Sequence, residues 1–246
     1  VQTGLLSRKF PEMTMDDAYK VQKMWVRKKI LTGQKIIGWK IGLTSKAMQY
    51  ALNIDTPDSG VLLDDMKFAN KSIIPAGRFI QPRIEAEIAF VMKSSLSGDI
   101  TVDDVKNATD YVTASLEILD TRVLRVDPDT GQSRVIVDTI SDNAANAGVI
   151  LASERHSVDS FDLRRVGAIV SRNNEVEETG LGAGVLGDPI LGIVWLAKRM
   201  AQYDQKIEPG QIILSGSFIR AIEAHPGSHI CADFGDFGNV SVEFEN

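Results

Sequence analysis

The chain has 246 residues, 43% of them hydrophobic, enough to close one large core or two small ones. Its net charge of −6 comes without a basic stripe, so no nucleic-acid partner is expected. The longest apolar runs, such as "VGAIV" and "ILGIVWLA", are too short to span a membrane. A single cysteine, Cys231, excludes an intrachain disulfide and argues against a thiolate zinc site. No signal-peptide pattern is visible, and the counts favour a reducing cytoplasm with oxygen ligands for any metal.

The segment "MTMDDAYKVQKMWVRKKILTG" predicts a helix, with Thr14 as N-cap and Asp16 and Asp17 in its first turn. Ala18, Val21 and Met24 or Trp25 follow helical spacing, Lys and Arg crowd its end, and Gly33 stops it. "KIIGWKIGL" reads as a strand and "TSKAMQYAL" as a short helix capped by Thr44. "IDTPDSGVLLDDM" is a turn-rich loop leading into a strand, and strands and turns continue from Ile73 to Met92. "TVDDVKNATDYV" predicts a short capped helix and "VTASLEILDTR" a strand.

"VLRVDPDTGQ" is loop, with Asp120 and Arg122 expected as a surface or rim pair just before it. "ISDNAANAGVIL" joins a polar turn to an apolar strand. "RRVGAIVSRNNEVEETG" predicts a hairpin turning at Asn173-Asn174. A helix starts at Pro189 with apolar residues at 190, 193, 194, 196, 197 and 200, and the C-terminal part returns to strands. His225 and His229 flank a Pro-Gly pair and read as a turn, not as a helical ligand pair. The glycine sets "TGLGAGVLGDP" and "DFGDFGN" lack the spacing of a phosphate loop.

Strands outnumber helices and do not alternate with them regularly. The expected class is therefore α+β, with a mixed, largely antiparallel sheet system. Residues 1–70 are expected to form an N-terminal helical or αβ cap region and residues 71–246 a β-rich core, with a single domain as the alternative.

The stretch "PRIEAEIAFVM" carries the chemical signal. Glu85 and Glu87 are two apart on a strand, so they share a face about 7 Å apart. Two such carboxylates in a partly buried site repel, and either one takes a proton or a cation binds. Glu117, in "SLEILD", is a third acid on another apolar strand. Three converging carboxylates make an oxygen-only site suited to Mg²⁺ or Mn²⁺. Alternate glutamates also mark the wetted face of a half-exposed sheet, and the pattern alone leaves both readings open.

Together, "KIGLTSKAMQ", "PRIEAEIAFV", "LEILDTR", "DTISDNAANAGVIL", "EETGLGAGVLGDP" and "GQIILSGSF" resemble the hydratase/decarboxylase family of meta-cleavage pathways. That family lies within the fumarylacetoacetate hydrolase-like superfamily, and the similarity runs over nearly the whole chain. The resemblance implies a distorted barrel or β-roll core with flanking helices. It implies a divalent metal on Glu85, Glu87 and Glu117, with Lys40 and Asp58 near the reacting carbons. It also implies a homo-oligomer, pentameric or decameric, with a pathway enzyme as a possible partner.

Asp188-Pro189 stands where relatives often have His-Pro, and "GSFIRAIEAHPGS" departs from the segment usual after the Gly-Ser. The implied activity is a hydratase acting on a 2-oxo dienoic diacid. A sister decarboxylase, or a non-catalytic scaffold supporting one, is the alternative. Lys40 is the expected proton donor, its pKa lowered by the dication, with Asp58 pairing with it or positioning water. Ser141, Asp142, Ser215 and Ser217 are candidate contacts for the substrate carboxylate. Arg83, Arg122, Arg125 and Arg220 are candidates for the second carboxylate.

Overall fold

Alternation in "RIEAEIAFVM" sends Ile84, Ala86, Ile88, Phe90 and Met92 to one face of a strand. Arg83, Glu85, Glu87, Ala89 and Val91 go to the other. A computed structural model, describing residues 1–46, 49–50, 54 and 56–246, places this strand at the centre of a sheet. The helix expected over "TSKAMQYAL" falls largely outside the described residues.

The strands are β1 (Ile36–Gly42), β2 (Asp58–Leu63), β3 (Lys67–Phe68), β4 (Ser72–Ile74), β5 (Arg83–Met92), β6 (Thr109–Leu119) and β7 (Asn146–Leu151). They continue with β8 (Gly167–Arg172), β9 (Glu175–Leu181), β10 (Ile212–Ser217), β11 (Ile222–Glu223), β12 (His229–Asp233) and β13 (Asn239–Phe244). The helices are α1 (Leu6–Lys9), α2 (Met15–Leu31), α3 (Val102–Ala108), α4 (Ile136–Ser141) and α5 (Pro189–Ala201).

One sheet runs β2-β1-β10-β5-β6-β7-β3, with β11 beside β5, and curls into a half-barrel. The other runs β4-β13-β12-β8-β9. Pairing is antiparallel except at β1/β10, β3/β7 and β4/β13. The expected mixed α+β class is therefore the observed one. β1 and β2, from the first 70 residues, lie in the same sheet as the core strands.

The main core fills one face of the long sheet. Ile84, Ile88 and Phe90 of β5 belong to one apolar cluster with Val170 of β8, Ile230 of β12 and Val242 of β13. Each such fully buried side chain contributes about 1.5–3 kcal/mol. The opposite face of β5 has a smaller apolar floor of Leu62, Ala89, Val149, Ile212 and Leu214. The two glutamates stand on this second face, one step along the strand from Ala89.

Local signals account for the helices. Thr14 and Asp17 form a reciprocal capping box at α2, and Thr101 and Asp104 form another at α3. Asp188 caps α5 by accepting from Ile190 N, with Pro189 at the first helical position. Asn173 and Asn174 turn the β8/β9 hairpin with φ of 53° and 69°.

Two expectations need correction. Helix α2 buries Ala18, Gln22 and Val26, while Val21 and Met24 are exposed. Gln22 decides this, because its amide donates to the carbonyls of Ser59 and Ile140. The polar turn expected at "ISDN" begins inside a helix instead, since α4 runs to Ser141 and leaves Ser141, Asp142 and Asn143 buried.

Candidate metal centre

Register brings the third acid to the first two. β5 and β6 pair so that Glu85 faces Glu117 directly and Glu87 faces Ser115. Like charges directly opposite each other destabilise a sheet, and here a third carboxylate adds to the pair. Glu85, Glu87 and Glu117 offer ligand oxygens all within 4.8 Å of one another. Among the described residues, no other set of His, Cys, Asp and Glu side chains converges in this way.

Glu87 and Glu117 are fully buried, and Glu85 is half-buried. Glu87 Oε2 accepts from Gly216 N at 2.7 Å. Glu87 Oε1 and both Glu117 oxygens have no hydrogen-bond partner. Buried oxygens left bare in this way are costly unless something meets them.

The electrostatics agree. Burial raises the pKa of Glu87 well above its ordinary value, with Glu117 and Glu85 adding to the rise and Lys40 and Gly216 N–H opposing it. Burial also raises Glu85, against the pull of Lys40. Glu117 is pushed up by burial to about 7, despite Lys40. Three oxygen donors, bare and short of counter-charge, fit a hard dication such as Mg²⁺ or Mn²⁺.

Lys40 enters from β1 on the same face, because β1 pairs with β10 at Lys40/Leu214 and β10 pairs with β5 at Leu214/Ala89. Its Nζ lies 3.4 Å from Glu117 Oε1, an ion-pair distance without hydrogen-bond alignment. Burial alone would push the ammonium down. Glu117, Asp58, Glu85 and Glu87 outweigh burial and hold it above its ordinary value. The expected depression belongs to a dication's field, and the protein's own groups act the other way.

Asp58, at the start of β2, is buried with Oδ1 unpartnered. Burial raises its pKa, opposed by Lys40, Arg134 and Gly42 N–H. The two side chains flank Gly42, where an added Cβ would lie 2.2 Å from Asp58 Oδ1 and 3.1 Å from Lys40 Nζ. Gly216 is constrained as tightly, with φ of 122° and space for a Cβ only 2.3 Å from Thr44 Oγ1.

The remaining candidates divide. Ser141 Oγ is buried and unpartnered. Asp142 is committed elsewhere, accepting from Arg122 Nε at 2.6 Å, Arg122 N at 2.8 Å and Val123 N at 3.2 Å. Arg122 is thereby Asp142's partner and not Asp120's. Asp120 is buried and accepts from Ile80 N and Gln81 N, so the expected pair does not form.

Ser217 faces Glu87 in register but exchanges hydrogen bonds with Ile219, and Ser215 donates to Ile88 O. Arg83, on the same face as Glu85 and Glu87, donates through Nε to Glu223 at 2.6 Å. Arg220 pairs with Glu178 on β9.

Sequence reasoning missed two features. One is Gly216 N–H, although "LSGS" had drawn attention through its serines. The other is the run Asn143, Ala144 and Ala145, left-handed with φ of 53°, 52° and 59°. Each non-glycine residue there costs roughly 1–2 kcal/mol. The turn is held because Asn143 accepts from Val61 N at 2.8 Å and donates to Val61 O at 2.9 Å. Asn143 O closes over Gly60, where a Cβ would come within 2.5 Å of it. The strained turn thus clamps β2, the strand that carries Asp58.

A mixed α+β fold with an oxygen-only donor set and a buried lysine beside it defines a metal-dependent enzyme. No family model matches the chain. It is 51% identical over 244 residues to the 2-oxo-hept-4-ene-1,7-dioate hydratase of Escherichia coli, covering 99% of this chain and 91% of that protein. It is 37% identical to a 2-keto-4-pentenoate hydratase of Paraburkholderia xenovorans, over 96% of this chain and 86% of that one. The solved 4-oxalocrotonate decarboxylase of Pseudomonas putida G7, complexed with magnesium and adipate, superposes with a TM-score of 0.92 at 34% identity, covering 99% of this chain and 90% of that one. The chain belongs to the hydratase/decarboxylase family of the fumarylacetoacetate hydrolase-like superfamily.

Proposed function

We propose that the chain is a Mg²⁺-dependent hydro-lyase that converts 2-oxohept-4-ene-1,7-dioate to 4-hydroxy-2-oxoheptanedioate in aromatic catabolism. The convergence of Glu85, Glu87 and Glu117 within 4.8 Å carries this reading. The 51% identity to a hydratase of that name supports the substrate. Glu85, Glu87 and Glu117 would hold the metal, which supplies a Lewis acid that stabilises negative charge on the substrate's oxygen at carbon 2.

Lys40 keeps its proton in the field of four carboxylates and hands it to carbon 5 of the dienol, leaving a double bond between carbons 3 and 4. The 2-hydroxyl gives up its proton as the 2-oxo group forms, which restores the charge on Lys40; water then adds at carbon 4, and the proton it releases passes to carbon 3. Asp58, bare at Oδ1 and on the other side of Gly42 from Lys40, orients the lysine through its charge and accepts the proton of the incoming water. General acid–base help of this kind contributes about 10²–10⁴-fold. The apolar floor of Leu62, Ala89, Val149 and Leu214 keeps solvent from the far side of the centre.

On this reading residues 1–70 bring the proton-handling pair and residues 71–246 bring the metal ligands, so the two regions divide the chemistry. A homo-oligomer, pentameric or decameric, and a cytoplasmic location belong to the same proposal. No helix among the described residues is long and apolar enough to cross a membrane.

The rival is decarboxylation of 2-oxohex-3-enedioate, favoured by the TM-score of 0.92 to a solved decarboxylase. Supplying both dienols with and without Mg²⁺ decides between them. The hydratase gives the 4-hydroxy-2-oxo diacid without gas, whereas stoichiometric CO₂ assigns the decarboxylase. Turnover of neither removes both.

A further inference from the structure

Three arginines stand at the rim of the centre. Arg83 Nε and Arg125 Nη1 both meet one oxygen of Glu223, at 2.6 Å and 2.7 Å. Arg134 joins them through its backbone, donating N–H to Arg125 O at 2.9 Å. The Arg125 and Arg134 side chains are each only 20% exposed.

Arg125 Nε and Arg134 Nη1 are buried without a hydrogen-bond partner. The nearest acid to Arg134, Asp142 Oδ2 at 4.0 Å, is already taken by the backbone N–H groups of Arg122 and Val123. Arg125, to which Arg134 is tied, shares Glu223 with Arg83 on the glutamates' face of β5, and the pull of Arg134 on Asp58 is in keeping with that placement. Four guanidinium groups, Arg83, Arg122, Arg125 and Arg134, here face two carboxylates, Glu223 and Asp142. Buried donors that lack an acceptor call for an anion, and a carboxylate can take two N–H groups at once.

Length fits as well. Arg83 is two residues beyond Glu85 on one face of β5, about 7 Å away. A seven-carbon chain with bonds of about 1.5 Å zigzags to roughly 7–8 Å from first to last carbon. An acid held by its first two carbons at the glutamates therefore reaches, with its seventh, the Arg83 end of β5, where Arg125 shares Glu223 with Arg83, and a five-carbon acid falls short.

We propose that Arg134 and Arg125 receive the far carboxylate of the substrate and make the enzyme selective for a diacid, with Glu223 as the positioning residue that holds Arg125. This inference rests on the hydratase reading above. It is tested by Arg134→Met, Arg134→Lys and Arg125→Met, assayed with the seven-carbon diacid dienol and the five-carbon monoacid dienol. Binding of the unreactive 2-oxoheptanedioate and 2-oxopentanoate to the Mg²⁺-loaded protein is followed by calorimetry.

In Arg134→Met the diacid-to-monoacid ratio of kcat/KM falls by about 10²-fold, chiefly through the diacid KM, and the calorimetric preference falls in step. Arg134→Lys recovers part of the ratio, since a point charge replaces a planar fork. Equal losses for both substrates in both Met variants, or ratios that stay at the wild-type value, overturn the proposal. Wild-type turnover of neither dienol overturns the hydratase reading instead, and this inference falls with it.

Discussion

The two ends of one face of β5 treat charge in opposite ways. Around Glu85 and Glu87, three buried carboxylate oxygens of Glu87 and Glu117 lack protein partners, and the main counter-charge is a single lysine 3.4 Å from Glu117. At Arg83, one residue pair away, arginines and acids pair at 2.6–2.7 Å in a half-exposed rim. The rim pairs most of its charge within the protein, but the glutamates carry a repulsion that a bound cation or a captured proton must relieve. The contrast separates a metal site from an ordinary network of ion pairs.

Breaking the glutamate end should cost most. Glu87→Gln is expected to reduce Mg²⁺-dependent turnover by about 10³-fold, matching the several kcal/mol a Lewis acid supplies. Circular dichroism should remain that of a folded protein, because the variant also removes a buried charge. Full turnover would place the metal elsewhere. Lys40→Ala is expected to lower kcat by about 10²–10⁴-fold while leaving Mg²⁺ affinity measurable by calorimetry. An unchanged kcat would reassign the proton donor.

Asp142 sharpens the comparison from outside both ends. With its acceptors spent on Arg122 and Val123, Asp142→Ala should destabilise the fold by about 3 kcal/mol, read from urea midpoints. A variant of wild-type stability with a raised KM would instead return Asp142 to the substrate.

The glutamates also set a pH dependence. Their folded pKa values are raised, so in chelated protein their contribution to stability is complete below the ordinary carboxylate range. It is lost as pH rises, through about 7 for Glu117. Chelated protein should melt lower at pH 8 than at pH 5, and Mg²⁺ should raise Tm more at pH 8. A larger Mg²⁺ effect at pH 5 would contradict that sign. The smallest effect is far from either end. Thr14→Ala, which breaks the α2 capping box, should cost about 1 kcal/mol of stability and leave kcat as it was.

Much of this was legible in the sequence because the deciding signals are local. Thr14 and Asp17 are three residues apart, Asn173-Asn174 is a two-residue turn, and Glu85 and Glu87 share a face by period alone. What was not legible depends on partners distant in the chain. The buried face of α2 is chosen by Gln22 reaching Ser59 and Ile140, not by the spacing of Val21 and Met24. Glu117 was legible only through the family resemblance, since it meets Glu85 by strand register across 31 intervening positions, which periodicity does not encode. Arg134 sits past a turn with nothing in its neighbours to mark it, and Asp142, a candidate substrate contact from its polar turn, is committed to Arg122, a partner 20 residues away.

Calorimetric titration of Mg²⁺ into chelated wild type, Glu87→Gln and Arg134→Met tests the central claim most directly. The account predicts one ion per chain for the wild type and for Arg134→Met, and none for Glu87→Gln over the same range. A wild type that takes up no Mg²⁺, or a Glu87→Gln variant that binds it as tightly as the wild type, would contradict it.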